Sequence, residues 1–286
     1  MNKLVPTYMS VPKIKIKEEF IMAFNPNELV LERIRSVEEY DTATNELLGR
    51  YTQIESPSLK TSADGTEVTD AMGASIMTFY NAQKGTFDFT NSLFSLDLAA
   101  SQFGTKKKVA EAGNKIIVPV SETIAIGSDH TVTLKYVPVG TEGAEVKYVK
   151  VINANNTFGE TYEVSSVSGD GKFTLNAETR TITLPEDVTG RVFVNYNRET
   201  EKAVQIDKTT DSVPTVKSLL IHAIFHDPCD KNLVYSGIIS CPRAQIDPSS
   251  VELNLTSDGK HGASYLLQKE YCSDEAKLFT ILVSED

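Results

Sequence analysis

The chain of 286 residues carries 39 acidic against 28 basic side chains, a formal net charge of −11 and a pI near 5.0. That balance argues against a protein that grips nucleic acid by neutralising phosphates, which needs clustered Lys and Arg. A hydrophobic fraction of 40% is globular and at this length allows one elaborated domain or two modest ones, while no run approaches the roughly 18 apolar residues of a membrane helix.

The chain opens with MNKLVPTYMSVPKIKIKEEF, which lacks the apolar stretch of a secretory leader, so the expectation is a soluble intracellular product. VPKIKIKEEF alternates like an edge strand, and NELVLERIRSVEEY mixes apolar and charged residues in a way open to short helix or strand. Residues 1–45 read together as an N-terminal arm, mobile or bound to a partner. From Leu47 to Ser62 short apolar segments are broken by Pro57, and ADGTEVTD, Ala63 to Asp70, reads as a solvated turn. Its Asp64, Glu67 and Asp70 look like an incomplete calcium loop without the closing Glu. Two strands follow, Ser75 to Tyr80 and Thr86 to Thr90, expected to pair as a hairpin through Asn81, Lys84 and Gly85.

Asn91 or Ser92 then caps a helix through SLFSLDLAASQFG, with Leu93, Leu96 and Ala100 at helical spacing and Gly104 as the stop. Lys106, Lys107 and Lys108 beyond it read as a solvated cationic cap. From Lys115 seven short strands succeed one another: KIIVPVSET, TVTLKYVPV, AEVKYVKVI, TYEVSSVS, KFTLNAE, TITLPED and RVFVNYN. Turns at Gly127 to His130, Gly140 to Gly143, Ser168 to Gly171 and Glu186 to Gly190 separate them, the pattern of an antiparallel β-sandwich or barrel. Val204 to Thr215 is a polar connector.

Ser218 to Gln245 is the most telling segment. Leu220, His222, Ile224 and His226 fall on one face of a strand, and Leu219, Ile221, Ala223 and Phe225 on the other. Pro228, Asp230, Lys231 and Asn232 supply a turn, and the return strand from Leu233 to Cys241 is expected to close at Pro242, which cannot donate to a ladder. With apolar residues on both faces, both faces should be covered. The three cysteines, Cys229, Cys241 and Cys272, form an odd set without disulfide-framework spacing, which fits a reducing compartment. His222, His226 and Cys229 look metal-like, but residues four apart on a strand stand about 13 Å apart, too far to share one ion. The chain ends in the polar strand VELNLTSDG, an amphipathic stretch SYLLQKEYC and the strand KLFTILV. It contains neither a nucleophile elbow, a helix-borne H-E-x-x-H, a P-loop nor a dinucleotide fingerprint. No catalytic residue, cofactor or metal site is assigned, and the chain is read as a non-enzyme.

The order of elements resembles the tail tube (major tail) proteins of tailed bacteriophages. Four features carry the likeness: IMTFYNAQKGTFDF leading into SLFSLDLAASQFG, a sandwich of short strands, the hairpin LLIHAIFHDPCDKNLVYSGIISCPRAQI, and the ending VELNLTSDG, YLLQKEY and KLFTILVSED. The resemblance implies a mainly β fold, an antiparallel β-sandwich or barrel with one short α-helix, long loops and the N-terminal arm. Residues 46–286 would form the tail-tube-like domain, with the strand-dense 115–206 as an insertion or subdomain. It further implies a homo-oligomer of six subunits per ring, stacked into a tube in the virion tail, synthesised in the bacterial cytoplasm. DNA would pass through the lumen without sequence-specific binding or any membrane role, and acidic walls would let it slide. Other partners would be the tape measure and terminator proteins. Subunit-interface candidates are Leu220, His222, Ile224 and His226 on the hairpin, Thr86 and Asp88 on a flanking strand, and Leu59, Asp64 and Asp70 in a loop facing the next ring. The alternatives are a capsid decoration or adhesion protein with an immunoglobulin-like sandwich, and a β-sandwich carbohydrate-active enzyme, which the lack of Trp disfavours.

Overall fold

The computed structural model describes residues 27–257, 259–270 and 276–285. In chain order the first strands are β1 (Val30–Asp41), β2 (Leu47–Tyr51), β3 (Ile54–Ser62), β4 (Gly65–Thr69), β5 (Ser75–Tyr80) and β6 (Lys84–Asn91). After helix α1 (Leu96–Phe103) come β7 (Lys108–Val109), β8 (Ile116–Ala125), β9 (Thr131–Thr133), β10 (Tyr148–Ile152), β11 (Phe158–Val164) and β12 (Lys172–Asn176). The chain continues through β13 (Thr181–Thr183), β14 (Arg191–Thr200), β15 (Val204–Gln205), β16 (Val216–His226), β17 (Val234–Ile246), β18 (His261–Leu267) and β19 (Thr280–Glu285). The protein is mainly β with one helix, as the residue pattern and the family resemblance led one to expect. The described residues divide into two compact units, one of 27–91, 217–244, 266–270 and 276–285 and one of 92–216, 245–257 and 259–265.

The eight-stranded sheet has the order β2-β1-β16-β17-β18-β6-β3, with β19 on β17. In the first unit β1 runs antiparallel to β16 from Val30 opposite His226 to Asp41 opposite Lys217. The alternation expected in β16 is real: Lys217, Leu219, Ile221 and Ala223 are buried, while Leu220, His222 and Ile224 are half-buried. On β6 the same period buries Phe87 and Phe89, whose rings pack at 5.6 Å, with Tyr51 at 5.8 Å from Phe89. Among these apolar groups lies a charge pair. The Lys217 ammonium meets the Glu39 carboxylate at 2.7 Å, with side chains 8% and 1% exposed.

The second unit holds a seven-stranded sheet, β8-β14-β10-β11-β12-β13-β9, that nearly closes on itself as a barrel. Its longest ladder sets β8 against β14, from Ala125 opposite Arg191 to Ile116 opposite Thr200. Its core includes Val132, Leu134, Val149, Phe173, Ile182 and Val194. Helix α1 is capped by Ser95, whose hydroxyl accepts from the Leu98 amide at 3.2 Å, and ended by Gly104 at φ 69°. That left-handed backbone suits glycine, and an added Cβ would also run into the Val213 carbonyl. Buried His261 donates to Gln102 Oε1 at 2.6 Å, Gln102 Nε2 donates to the Gly262 carbonyl at 2.7 Å, and burial lowers the His261 pKa.

Several local expectations shift. The helix begins at Ser95 rather than at Asn91 or Ser92, because Ser95 is the residue whose extended backbone presents its hydroxyl to the first free amide. The partner of β5 is β4, not β6: residues 65–69, read as part of a turn, are a strand, and the turn proper is Asp70–Ala74. β6 pairs instead with β3, whose interruption at Pro57 is a bulge between Glu55 and Ser58 with Ser56 at φ 48°. Pro242 does not end the return strand but sits inside β17. It falls between Ser240, the last residue paired to β19, and Arg243, whose carbonyl accepts from Gln268 at 2.9 Å. Val251–Leu255 forms no strand, β11 and β12 run parallel, and SYLLQKE contributes to β18. Val30 onward, placed in the arm, is the strand β1, whereas VPKIKIKEEF and Cys272 lie outside the described residues.

Because Glu39 is buried, Lys217→Met removes the cation beside a carboxylate that water cannot reach. Urea unfolding followed by circular dichroism should show a loss of about 3–5 kcal/mol, most of it recovered when Glu39→Leu is added. A loss under about 1 kcal/mol in the single variant would refute the assignment.

Candidate assembly surface

Two features of the first unit present chemistry outward. One is the half-exposed face of β16, which carries Leu220, His222, Ile224 and His226. Antiparallel pairing lays the acidic side chains of β1 beside it. His222 Nε2 stands 3.3 Å from Glu38 Oε2, and Glu38 also accepts from the Tyr40 hydroxyl at 2.8 Å and pairs with Arg50 at 3.1 Å. Partial burial works to raise the Glu38 pKa, but the Tyr40 hydroxyl, His222 and Arg50 together hold it below the ordinary carboxylate range. His226 sits separately: its Nε2 is 2.6 Å from Glu32 Oε2 and its Nδ1 2.8 Å from the Lys231 carbonyl. Each histidine thus has its own carboxylate, and among the described residues no group of His, Cys, Asp and Glu is placed to hold a metal ion. Both ring nitrogens of His226 face acceptors, so the imidazolium is favoured. The Glu32 bond, and then the Lys231 carbonyl, raise its pKa above the ordinary value, and His226 in turn lowers that of Glu32.

The second feature is the β4–β5 ribbon. Its strands pair only with each other among the described residues, Gly65 opposite Tyr80 through Thr69 opposite Ser75, and every residue of both strands is exposed. Val68, Met72, Ile76, Met77, Phe79 and Tyr80 point into solvent, Met72 at 94%, Ile76 at 64% and Phe79 at 59%. Asp70 shapes its tip, its carboxylate accepting from the amides of Met72 at 2.9 Å and Ala74 at 2.8 Å. Asp64 holds the base through a 2.5 Å pair with Lys84. These two acids, singled out by their turn-like surroundings, build the loop, whereas the apolar residues beside them are what the loop displays. Leu59 is half-buried on β3 opposite Phe87, and Thr86 and Asp88 lie on the outward face of β6, Asp88 3.2 Å from Lys60.

Glu32, Glu38 and Arg50, and the apolar set on the ribbon, were not singled out from the sequence. The charged residues become neighbours of the histidines only through the β1–β16 register. SIMTFY reads as an ordinary half-buried strand, and nothing local shows that neither of its faces is covered.

A family model described as the YomU/Tube protein family matches residues 29–268. The matched span opens one residue before β1 and closes one residue after β18, so it takes in every strand except β19. No curated protein matches the chain.

Since His226 has a raised pKa, its bond to Glu32 contributes stability fully below about pH 6.5, the unfolded value, and loses it as pH rises through the folded pKa. An NMR titration should place the His226 midpoint above 6.5 and return it toward 6.5 in Glu32→Gln. A midpoint unchanged by that substitution would show that Glu32 does not hold the proton.

Proposed function

We propose that this chain, which belongs to the YomU/Tube protein family, self-associates into hexameric rings that stack into the conduit for DNA ejection in a phage tail. Membership makes it a phage tube-type structural protein. The β4–β5 ribbon carries the further step. A lone two-stranded ribbon is marginal in water, and a contiguous set of exposed apolar side chains on it marks an interaction site. The surface that would cover Val68, Ile76 and Phe79 is supplied, in this reading, by a copy of the same chain in the next ring, together with the rest of the loop from Leu59 to Asp70. Leu220, His222, Ile224 and His226, with Thr86 and Asp88, face lateral neighbours or the lumen. The tape measure and terminator proteins engage the finished tube, and the subunit resides in the virion after synthesis in the host cytoplasm.

The acidic balance fits a conduit whose cargo is itself an anion. Carboxylates on the lumen wall repel phosphates, so DNA slides without adhering. No membrane and no cofactor enter this role.

Negative-stain microscopy of the concentrated protein should show rings or tubes. Val68→Ser, Ile76→Ser and Phe79→Ser together, each removing roughly 1.5–3 kcal/mol of burial from the contact, should weaken stacking by about a thousandfold or more while leaving the fold's circular dichroism unchanged. Uniform small particles at every concentration of the unaltered chain, or tubes that persist in the triple variant, would sink the respective step. Reversing the charge of the acidic residues that an assembled tube places on its lumen should slow DNA ejection without preventing assembly, and normal ejection rates would remove the electrostatic argument.

A further inference from the structure

The barrel-like sheet of the second unit carries a groove of about 550 Å³, a volume suited to a small ligand. Its walls follow from the strand register. β10 runs antiparallel to β14 with Val149 opposite Val194, which sets the start of β10 beside Asn195. The segment ahead of β10 is pinned to the same strand, the Val139 amide donating to the Asn197 carbonyl at 2.8 Å. Between these two fixings the chain turns back at Thr141 and Ala144, and Glu145, Lys147 and Tyr148 come to line the groove with Asn195 and Asn197.

The hydrogen-bonding capacity in this groove is largely unspent. Glu145 Oε2 is buried and has no partner among the described residues, a costly condition for an acceptor. The Asn197 side-chain amide and the Lys147 ammonium bond to nothing within the described chain. Asn195 uses one N–H on the Ser121 hydroxyl at 3.0 Å and keeps its carbonyl oxygen. By contrast Tyr196, which also lines the groove, is spent on structure: it donates to Glu122 and accepts from the Tyr136 amide at 3.1 Å. The Tyr148 ring lies 55% exposed and offers a flat apolar platform.

We infer that this groove is a binding site for a neutral polyhydroxylated ligand, a saccharide unit, held on the Tyr148 ring by the amides of Asn195 and Asn197 and the free oxygen of Glu145. One carboxylate and one ammonium cancel, so the groove has no net charge with which to select a phosphate or a cation. The amides both donate and accept, as a hydroxyl does, which matches a partner whose every group can do either. An aromatic face beside such groups suits the C–H surface of a sugar ring. This function is separate from tube formation and uses none of the residues assigned to it.

The test is a glycan microarray carrying neutral and anionic glycans, probed with the full chain, followed by calorimetry on any glycan retained. At least one neutral glycan should be retained, and Tyr148→Ala and Asn197→Ala should each weaken it about tenfold or more, the equivalent of one well-made hydrogen bond or contact, with the thermal melt and tube formation unchanged. Retention of no neutral glycan, retention undiminished in both variants, or retention of anionic glycans alone that disappears in Lys147→Gln would each overturn the assignment.

Discussion

Everything in the first unit depends on a contact between residues 178 apart in the chain, Glu39 and Lys217. The pair sits where β1 and β16 meet, and it is buried almost completely. Closing so long a loop costs entropy that grows only slowly with length, but it delays the reward until both strands are present. A buried pair of charges also discriminates between registers. Slipping β16 by one residue would turn Lys217 to the other face and leave the Glu39 carboxylate without its cation, a penalty of several kcal/mol. The apolar alternation of β16 specifies which face is buried, and the charge pair specifies which residue stands opposite which.

The intervening chain is not slack. Residues 92–216 contribute most of a second unit with its own core of Val, Ile, Leu and Phe side chains. Its near-closed sheet manages the exposure of strand edges by curling them toward each other. The first unit does the opposite. It leaves β4 and β5 as a ribbon that pairs with no other strand among the described residues, with apolar side chains outward. Assembly is thus proposed to reside on the first unit and ligand recognition on the second, and the two can be altered independently because they share no residues.

Much of this was legible in the residues. Strands recur at their expected places through the middle of the chain because period-two alternation and β-branched content act within a few residues. Gly104 ends the helix because a left-handed backbone is a property of one residue. The turn after β16 is built, as its composition suggests, by acids that bind nearby amides: Asp227 accepts from Cys229 at 2.7 Å, and Asp230 from Asn232 at 2.9 Å. What the candidate surface lacked at that level was its charged half, since Glu32 and Glu38 reach the histidines only across the sheet.

The sequence by itself determined the class of structure, the positions of most strands and turns, and the period-two alternation of β16, while which of its two apolar faces is the more deeply buried came from the structure. These are set by local backbone preference and by hydrophobic period. Tertiary structure alone decided that β5 joins β4, that β17 runs on through Pro242, and that the apolar side chains of SIMTFY stand exposed. Strand pairing is a choice among hydrogen-bonding edges that all look alike locally, so only the competition of the whole chain for those edges resolves it. The same holds for the groove beside Tyr148, whose unspent polar atoms become visible only after every other donor and acceptor around them has found its partner.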